Sequence, residues 1–230
     1  MIIDIVVTTR NRLDYLEKTL THIFERTRSD YDLHIIDDAS EEENQPYLLE
    51  LYRLGKIHTL TLRRERCGAM ANLNLGAWSA LSDPVVFTDD DVLCPDLSPD
   101  WLSQGITAMR RRKNQNLGLL ALNHPGAHRR IIEDDGEVTK CRFVGGTFMF
   151  VRRKFLRQWS LPHFRDNYGI TPTTKRCHKA HQLGWDIGFL SNVYCYHIGH
   201  QSEITGQPYG GAFIPPVSWE TLEPPEKVKR

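Results

Sequence analysis

The sequence lacks a long apolar run, an excess of charge of either sign and any close pairing of cysteines. No hydrophobic stretch approaches the roughly 20 residues that a membrane-spanning helix needs. The 29 Lys and Arg residues balance the 29 Asp and Glu residues, which excludes a basic coat for nucleic acid and a disordered acidic chain. The five cysteines are odd in number and never form a C-x-x-C pair, which disfavours a zinc cluster and a disulfide framework.

Two further features are missing near the amino terminus. The segment MIIDIVVTTRNR has no basic region before its apolar stretch and no small-residue cleavage site, so it does not resemble a secretory signal. Together with the cysteine pattern, this favours a cytoplasmic location. The segment TTRNRLDY contains no glycine, which argues against a nucleotidyltransferase with a Gly-rich phosphate loop after its first strand.

What the chain does contain is a regular alternation of strands and amphipathic helices. Apolar, largely β-branched runs at Ile2–Thr8, Leu33–Ile36, Ile57–Leu62 and Val85–Thr88 alternate with segments of helical periodicity. Strands that are apolar on both faces are typical of parallel sheets. The pattern therefore predicts a doubly wound α/β fold with a mixed, mainly parallel sheet.

Polar clusters follow three of these strands, where ligands bind in open α/β sheets. The clusters are Thr8-Thr9-Arg10, Asp37-Asp38 and Asp89-Asp90-Asp91. Three adjacent carboxylates repel one another unless a cation is present, and Mg²⁺ or Mn²⁺ takes such oxygen ligands. In an extended chain Asp89 and Asp91 share a face while Asp90 points away. A metal site is one interpretation of this cluster, and a solvated acidic turn is the other.

The acidic pair after the second strand has two interpretations as well. Asp38 could accept hydrogen bonds from a ribose or from a base N–H. Alternatively, Asp38 or Ser40 caps the following helix, with Glu43 completing a capping-box spacing.

Four motifs occur in order over roughly residues 2–155: VVTTRNR, HIIDDAS, NLGAWSALSDPVVFTDDDV and FVGGTFMFVRR. Together they resemble the GT-A glycosyltransferases of family 2. The resemblance implies a GT-A fold and metal-dependent, inverting transfer of a sugar to a hydroxyl acceptor from a nucleoside diphosphate donor, with UDP as the nucleotide. It also implies a single domain over residues 1–205, with a nucleotide-binding half (1–100) and an acceptor half (101–205). The Gly/Pro-rich segment 206–230 is then either a lid or a surface tail.

The resemblance further implies a role for individual positions. The nucleotide would contact Thr8, Thr9, Arg10, Asp38, Arg66 (or Arg64), Asp89 and Asp90. The sugar and the acceptor would lie over Gly145, Gly146 and Thr147, where absent side chains allow close approach. The divalent ion, Mn²⁺ or Mg²⁺, would bind Asp91 and His197, with His200 as the competing histidine.

The chain departs from this resemblance at the general base. Inverting members carry an Asp at the start of the helix that ends in the later glycine, whereas here Pro172-Thr173-Thr174 occupy that place. A base must lie within hydrogen-bond reach of the acceptor hydroxyl. We take Asp166 as the candidate, with Asp186 and Glu203 as alternatives. If none serves, either the stereochemistry of transfer differs or the chain is a nucleotide- or glycan-binding protein that has lost the base.

The expected partners are a nucleotide-sugar donor and a glycan or other hydroxyl acceptor, and not a nucleic acid. A peripheral contact with anionic lipid is one interpretation of the basic cluster Arg110-Arg111-Arg112-Lys113, and a solvated helix end is the other.

Replacing Asp166 separates an enzyme from a binder. If Asp166 is the base, Asp166→Asn lowers the rate of sugar transfer by about 100-fold or more, because general-base catalysis contributes on that scale. Donor binding, followed by calorimetry, stays unchanged because the substitution leaves the donor pocket intact. Transfer at the wild-type rate would show that another group takes the proton.

Overall fold

The computed structural model describes residues 1–41, 44–124, 129–158 and 172–199. The helices are α1 (Leu13–Arg26), α2 (Asn44–Arg53), α3 (Ala69–Ser79), α4 (Trp101–Arg110), α5 (Arg153–Gln158) and α6 (Pro172–Gln182). The strands are β1 (Ile3–Thr9), β2 (Tyr31–Asp37), β3 (Thr59–Leu62), β4 (Val85–Asp89), β5 (Val92–Leu93), β6 (Leu117–Asn123), β7 (Arg129–Asp134), β8 (Val138–Phe143), β9 (Met149–Val151), β10 (Asp186–Tyr194) and β11 (Tyr196–His197).

Within these described segments, nine strands form one sheet in the order β3-β2-β1-β4-β9-β6-β10-β8-β7. All of them point the same way except β8 and β9. The short strands β5 and β11 pair separately as an antiparallel ribbon. The predicted α/β fold with a mixed, mainly parallel sheet is confirmed.

Helices cover both faces of the sheet, and β1 shows why. All seven of its residues are buried. Ile5 and Val7 point to the side covered by α1 and α4, whereas Val6 points to α3 on the opposite side. A strand covered on both faces has no polar alternation, which explains its continuous β-branched sequence.

The second half differs from prediction at one strand. The segment FVGGTFMFVR (143–152) opens with a glycine pair and its apolar residues predict a strand, but β9 comprises only Met149–Val151. The preceding residues form a loop that reaches β9 through Phe148, whose φ is +42°. The polar sequence around residues 131–141 is compatible with a hairpin or a loop, and the structure has a hairpin there, formed by β7 and β8.

The basic end of α4 lies against this hairpin. Arg111 contacts Glu137 at 2.6 Å, and Lys113 contacts Asp135 at 2.6 Å and Glu137 at 3.2 Å. Acidic side chains therefore compensate part of the positive charge that suggested a lipid contact. None of the helices in the described residues has the length and apolar character to cross a membrane.

The parallel strands end together at one edge of the sheet. The register pairs Thr9 with Asp37, Thr8 with Asp89, and Tyr194 with Asn123. The residues that follow the parallel strands therefore lie at the same edge of the sheet, which holds for β1, β2, β4, β6 and β10.

Gly105 on α4 permits close packing against β9, which pairs with β4. A Cβ at this position would lie 2.2 to 2.6 Å from three ring atoms of Phe150. The Phe150 ring is fully buried and packs edge-on against Trp101, with 5.9 Å between the ring centroids, so it has little room to move. We expect Gly105→Ala to lower the free energy of unfolding by about 1–3 kcal/mol through overpacking, despite the better helix propensity of Ala. Urea denaturation measures this. The exposed Thr107→Ala on the same helix is the control, and equal stability of the two variants would contradict the packing argument.

Candidate functional site

The acidic cluster 89–91 lies at the carboxyl edge, and its members point in different directions. Asp90 is buried and faces β1 and the start of α1. Its Oδ2 accepts a hydrogen bond from Thr9 Oγ1 at 2.7 Å, and its Oδ1 forms an ion pair with Arg12 Nη1 at 3.2 Å. Both carboxylate oxygens of Asp90 thus bind protein groups. This arrangement does not favour the predicted contact between Asp90 and a nucleotide, which stays a prediction.

Asp91 is buried against the ribbon of β5 and β11. One oxygen, Oδ2, accepts from Arg12 Nη2 at 2.5 Å. The other, Oδ1, lies 3.3 Å from His197 Nε2 and has no hydrogen-bond donor in the described part of the chain. The backbone carbonyl of Asp91 accepts from Ile198 N at 2.8 Å, which fixes the segment carrying His197. The structure therefore brings together Asp91 and His197, the two predicted metal ligands.

Arginines compensate much of the cluster's charge. Burial and the neighbouring Asp91 raise the pKa of Asp89, while His197, Arg176 and Arg12 lower it. The pKa of Asp90 is raised for the same reasons, with Arg12 and Thr9 opposing the shift. From the sequence, an external cation was expected to offset the charge of the three carboxylates. The protein itself supplies cationic groups that offset part of it, namely Arg12, Arg176 and His197.

Two cationic residues at this site were not predicted from the sequence. Arg176 on α6 is 1% exposed and lies 5.6 Å from the Phe87 ring. Burial lowers its pKa to about 9, and the charge of Asp89 opposes that shift. No local pattern in a Lys- and His-rich helix marks Arg176 as buried. Arg12 also has no local sequence signal, because its partners Asp90 and Asp91 lie 78 and 79 residues away in the chain.

A third residue was overlooked although a signal existed. His124 directly follows β6, and its ring lies 6.0 Å from the His197 ring in an edge-on contact. Burial and then the charge of His197 lower the pKa of His124 to about 4, with Asp91 opposing them. The strand-end rule that selected the acidic clusters would also have selected His124.

Asp38 caps a different segment from the one expected. Its oxygens accept hydrogen bonds from Cys67 N at 2.7 Å and Gly68 N at 2.9 Å, at the start of α3. Asp38 therefore does not act as the cap of α2 that one interpretation allowed, because both of its oxygens bind the loop before α3. Glu43, which belongs to the same interpretation, lies outside the described residues. Ser40 instead binds Asp37 and receives a hydrogen bond from Asn11 N.

The basic loop between β3 and α3 stands beside Asp38. Arg63 points inward and donates to Asn72 Oδ1 at 2.6 Å. Arg64 and Arg66, the two predicted diphosphate ligands, are exposed. They are free to reach a ligand at the edge, but nothing in their contacts distinguishes one from the other.

The predicted sugar floor lies at the same edge. Gly145 and Gly146 are half-buried and Thr147 is buried, just before β9. Since β9 runs antiparallel to β4 with Met149 opposite Phe87, this loop meets the sheet beside Asp89. Thr8 and Thr9 are buried on the neighbouring strand β1.

The candidates for the base are separated by position. Asp186 begins β10, so it lies at the amino edge of the parallel strands and contacts Lys140 at 3.5 Å. It cannot serve the carboxyl edge, and that alternative is wrong. Asp166, Glu203, the competing His200 and the segment 206–230 lie outside the described residues. The helix α6 begins at Pro172 and carries no acidic residue.

No group of three His, Cys, Asp or Glu side chains in the described segments is arranged to hold a metal ion by itself. Two donor atoms, Asp91 Oδ1 and His197 Nε2, do converge. A divalent ion that keeps water and phosphate ligands needs only one or two protein ligands. The residues present therefore fit an ion that binds with a diphosphate better than one that binds alone.

A family model described as "Glycosyl transferase family 2" matches residues 4–160. The fold is similar to a mannosyltransferase from Pyrobaculum calidifontis in complex with GDP-Man and Mn²⁺, with a TM-score of 0.68, 19% identity, and coverage of 85% of this chain and 56% of that one. GalNAc-T7 with UDP, GalNAc and Mn²⁺ gives a TM-score of 0.71, 15% identity, and coverage of 86% and 44%. TarS of S. aureus in complex with UDP-GlcNAc gives 0.66, 16%, and 88% and 60%. The chain thus spans about half the length of these proteins.

The clamp by Asp38 generates a prediction that does not depend on a ligand. Asp38→Asn keeps one acceptor oxygen and replaces the other by an NH₂ group, which cannot accept from a backbone N–H. We expect faster hydrogen exchange at the amides of Cys67 and Gly68 and a loss of about 1–3 kcal/mol of stability. Hydrogen exchange followed by mass spectrometry measures the protection of these amides, and Asp96→Asn at an exposed position is the control. Unchanged protection of both amides would show that the clamp is not what holds this loop.

Proposed function

This chain belongs to glycosyl transferase family 2, and we propose that it transfers a sugar from a nucleoside diphosphate sugar to a hydroxyl acceptor. The observation that carries the proposal is the convergence of Asp91 Oδ1 and His197 Nε2 at 3.3 Å, at the same sheet edge as Thr9 and Asp38. Structures of similar fold that contain GDP-Man or UDP-GlcNAc support a donor of this class. UDP is the nucleotide we propose.

The proposed division of labour follows the sheet. Residues 1–100 contribute the nucleotide side, where Thr8, Thr9 and Arg10 line the pocket and Asp38 holds the basic loop over it. Residues 101–205 contribute the acceptor side, where Gly145, Gly146 and Thr147 form the floor under the sugar. His197 belongs to the second half but reaches the carboxylates of the first.

Asp91 and His197 would hold a divalent ion, Mn²⁺ or Mg²⁺, whose chemistry is to neutralise charge on the departing diphosphate. Similar folds solved with Mn²⁺ support this assignment. Asp89 would accept a hydrogen bond from a ribose hydroxyl. Arg66, exposed on its loop, can approach the diphosphate as a second cation.

In the proposed inverting displacement, the acceptor oxygen forms a bond to the anomeric carbon while the bond from that carbon to the diphosphate oxygen breaks. The acceptor proton passes to a carboxylate base, for which Asp166 is our candidate. The diphosphate leaves with the electron pair of the broken bond.

One observation favours a second candidate function. Helix α6 has no acidic residue at its start, where the resemblance places the base. A chain without any base would bind nucleotide and ion but transfer nothing. Donor binding without turnover, in the presence of acceptor, is the result that would identify such a binder.

Replacing Asp91 tests the metal site directly. Calorimetry with UDP and GDP, each with and without Mn²⁺, should show that one diphosphate binds wild type in a metal-dependent manner. Asp91→Ala removes the carboxylate that faces His197, so we expect metal-dependent binding to fall by about 100-fold or to vanish. Asp96→Ala, on an exposed loop, is the control. Unchanged binding by the Asp91 variant would refute its role as a ligand.

A further inference from the structure

Arg12 bridges the two buried carboxylates of the acidic cluster. Its Nη1 lies 3.2 Å from Asp90 Oδ1 and its Nη2 lies 2.5 Å from Asp91 Oδ2. The Arg12 side chain is 16% exposed, and the partner carboxylates are 4% and 1% exposed, so water screens these contacts weakly. The guanidinium also lies 4.8 Å from the Tyr15 ring.

The backbone before α1 holds Arg12 in this position. Asn11 adopts a left-handed conformation with φ of +52°. Its N–H donates to Ser40 Oγ at 2.9 Å, and its Oδ1 accepts from Glu41 N at 2.8 Å. The loop after β1 is thereby joined to the loop after β2, and Arg12 begins from a fixed point.

The two buried carboxylate oxygens of Asp91 have different surroundings. A Cβ on residue 199 would clash with Asp91 Oδ2 and Arg12 Nη2, so a larger residue here would have to displace this ion pair. The oxygen Oδ2 is therefore enclosed by Arg12 and Gly199. The oxygen Oδ1 lies 3.3 Å from His197 Nε2, and no group in the described segments donates a hydrogen bond to it.

We infer that Arg12 is the resident counter-ion of Asp90 and Asp91, and that it weakens the binding of a divalent ion to Asp91 until a diphosphate adds negative charge. The inference rests on the proposed function, because it concerns the same ion. A guanidinium on one oxygen draws charge from the carboxylate and repels a dication on the other. The diphosphate offsets this repulsion, so ion and nucleotide each strengthen the binding of the other, and the coupling is reciprocal.

The test is a titration of the full chain with Mn²⁺ alone, followed by the electron paramagnetic resonance signal of free Mn²⁺. Removing the charge in Arg12→Gln should tighten Mn²⁺ binding by about tenfold or more, because one repulsive charge close to the ion disappears. Arg12→Lys keeps the charge on a compact ammonium and should stay within about threefold of wild type. Arg28→Gln, which breaks an exposed pair with Asp96, is the matched control and should not change the affinity.

A second arm measures the same titration with UDP or GDP present. The ratio of Mn²⁺ affinities with and without nucleotide should shrink in Arg12→Gln relative to wild type, since less repulsion remains for the diphosphate to offset. Arg12→Gln also leaves two buried carboxylates without their cation, so its thermal midpoint should rise more on adding Mn²⁺ than that of wild type. If the variant is unfolded in metal-free buffer, Mn²⁺ should restore its near-ultraviolet circular dichroism.

Each outcome decides the inference. Equal or weaker Mn²⁺ binding by a folded Arg12→Gln would overturn it, as would an unfolded variant that Mn²⁺ does not restore. The same tenfold gain in Arg12→Lys would overturn the role of charge. If wild type binds Mn²⁺ only with nucleotide and Arg12→Gln shows no gain, this inference fails while the proposed function stands. If no variant binds Mn²⁺ with or without nucleotide, the metal site itself is lost.

Discussion

The structure at the carboxyl edge depends on three consecutive carboxylates, of which Asp90 and Asp91 are buried and Asp89 is half-buried. Burying a charge without a partner costs several kcal/mol, so Asp89, Asp90 and Asp91 can lie here only because other groups face them. Arg12 comes from the loop before α1, His197 from β11, and Arg176 from α6. Segments from both ends of the described chain therefore meet at this point, and the electrostatic requirement of the cluster fixes where they dock.

The same constraint makes the site rigid before any ligand arrives. Thr9 and Arg12 orient Asp90, and Ile198 N holds the backbone of Asp91. On the other side of β1, Asp38 clamps two backbone amides and so keeps the basic loop at the edge. Fixed dipoles and charges of this kind need little reorganisation when charge develops on a leaving group.

The sheet could be predicted from the sequence because its buried strands are recognisable as apolar runs. The rule that ligands bind at carboxyl ends correctly gathered Thr9, Asp38 and the acidic cluster. The rule also shows why Asp186 was a poor alternative, because it precedes its strand rather than following it. Arg12 and the amides bound by Asp38 could not be predicted, because contacts across about 30 to 80 residues leave no local pattern.

Helix α6 departs from the pattern of inverting family 2 enzymes at its first turn. At its start, where the resemblance places an Asp, it has Pro172 and two threonines, and one turn later it carries the buried Arg176, whose charge lowers the pKa of Asp89. A carboxylate in that first turn would lie close to a buried guanidinium, and an opposite charge at such range lowers a carboxyl pKa and its strength as a base. Arg176 would therefore weaken a base placed one turn before it, whereas its charge favours the ionised form of Asp89. A proton acceptor from a different segment is consistent with that exchange.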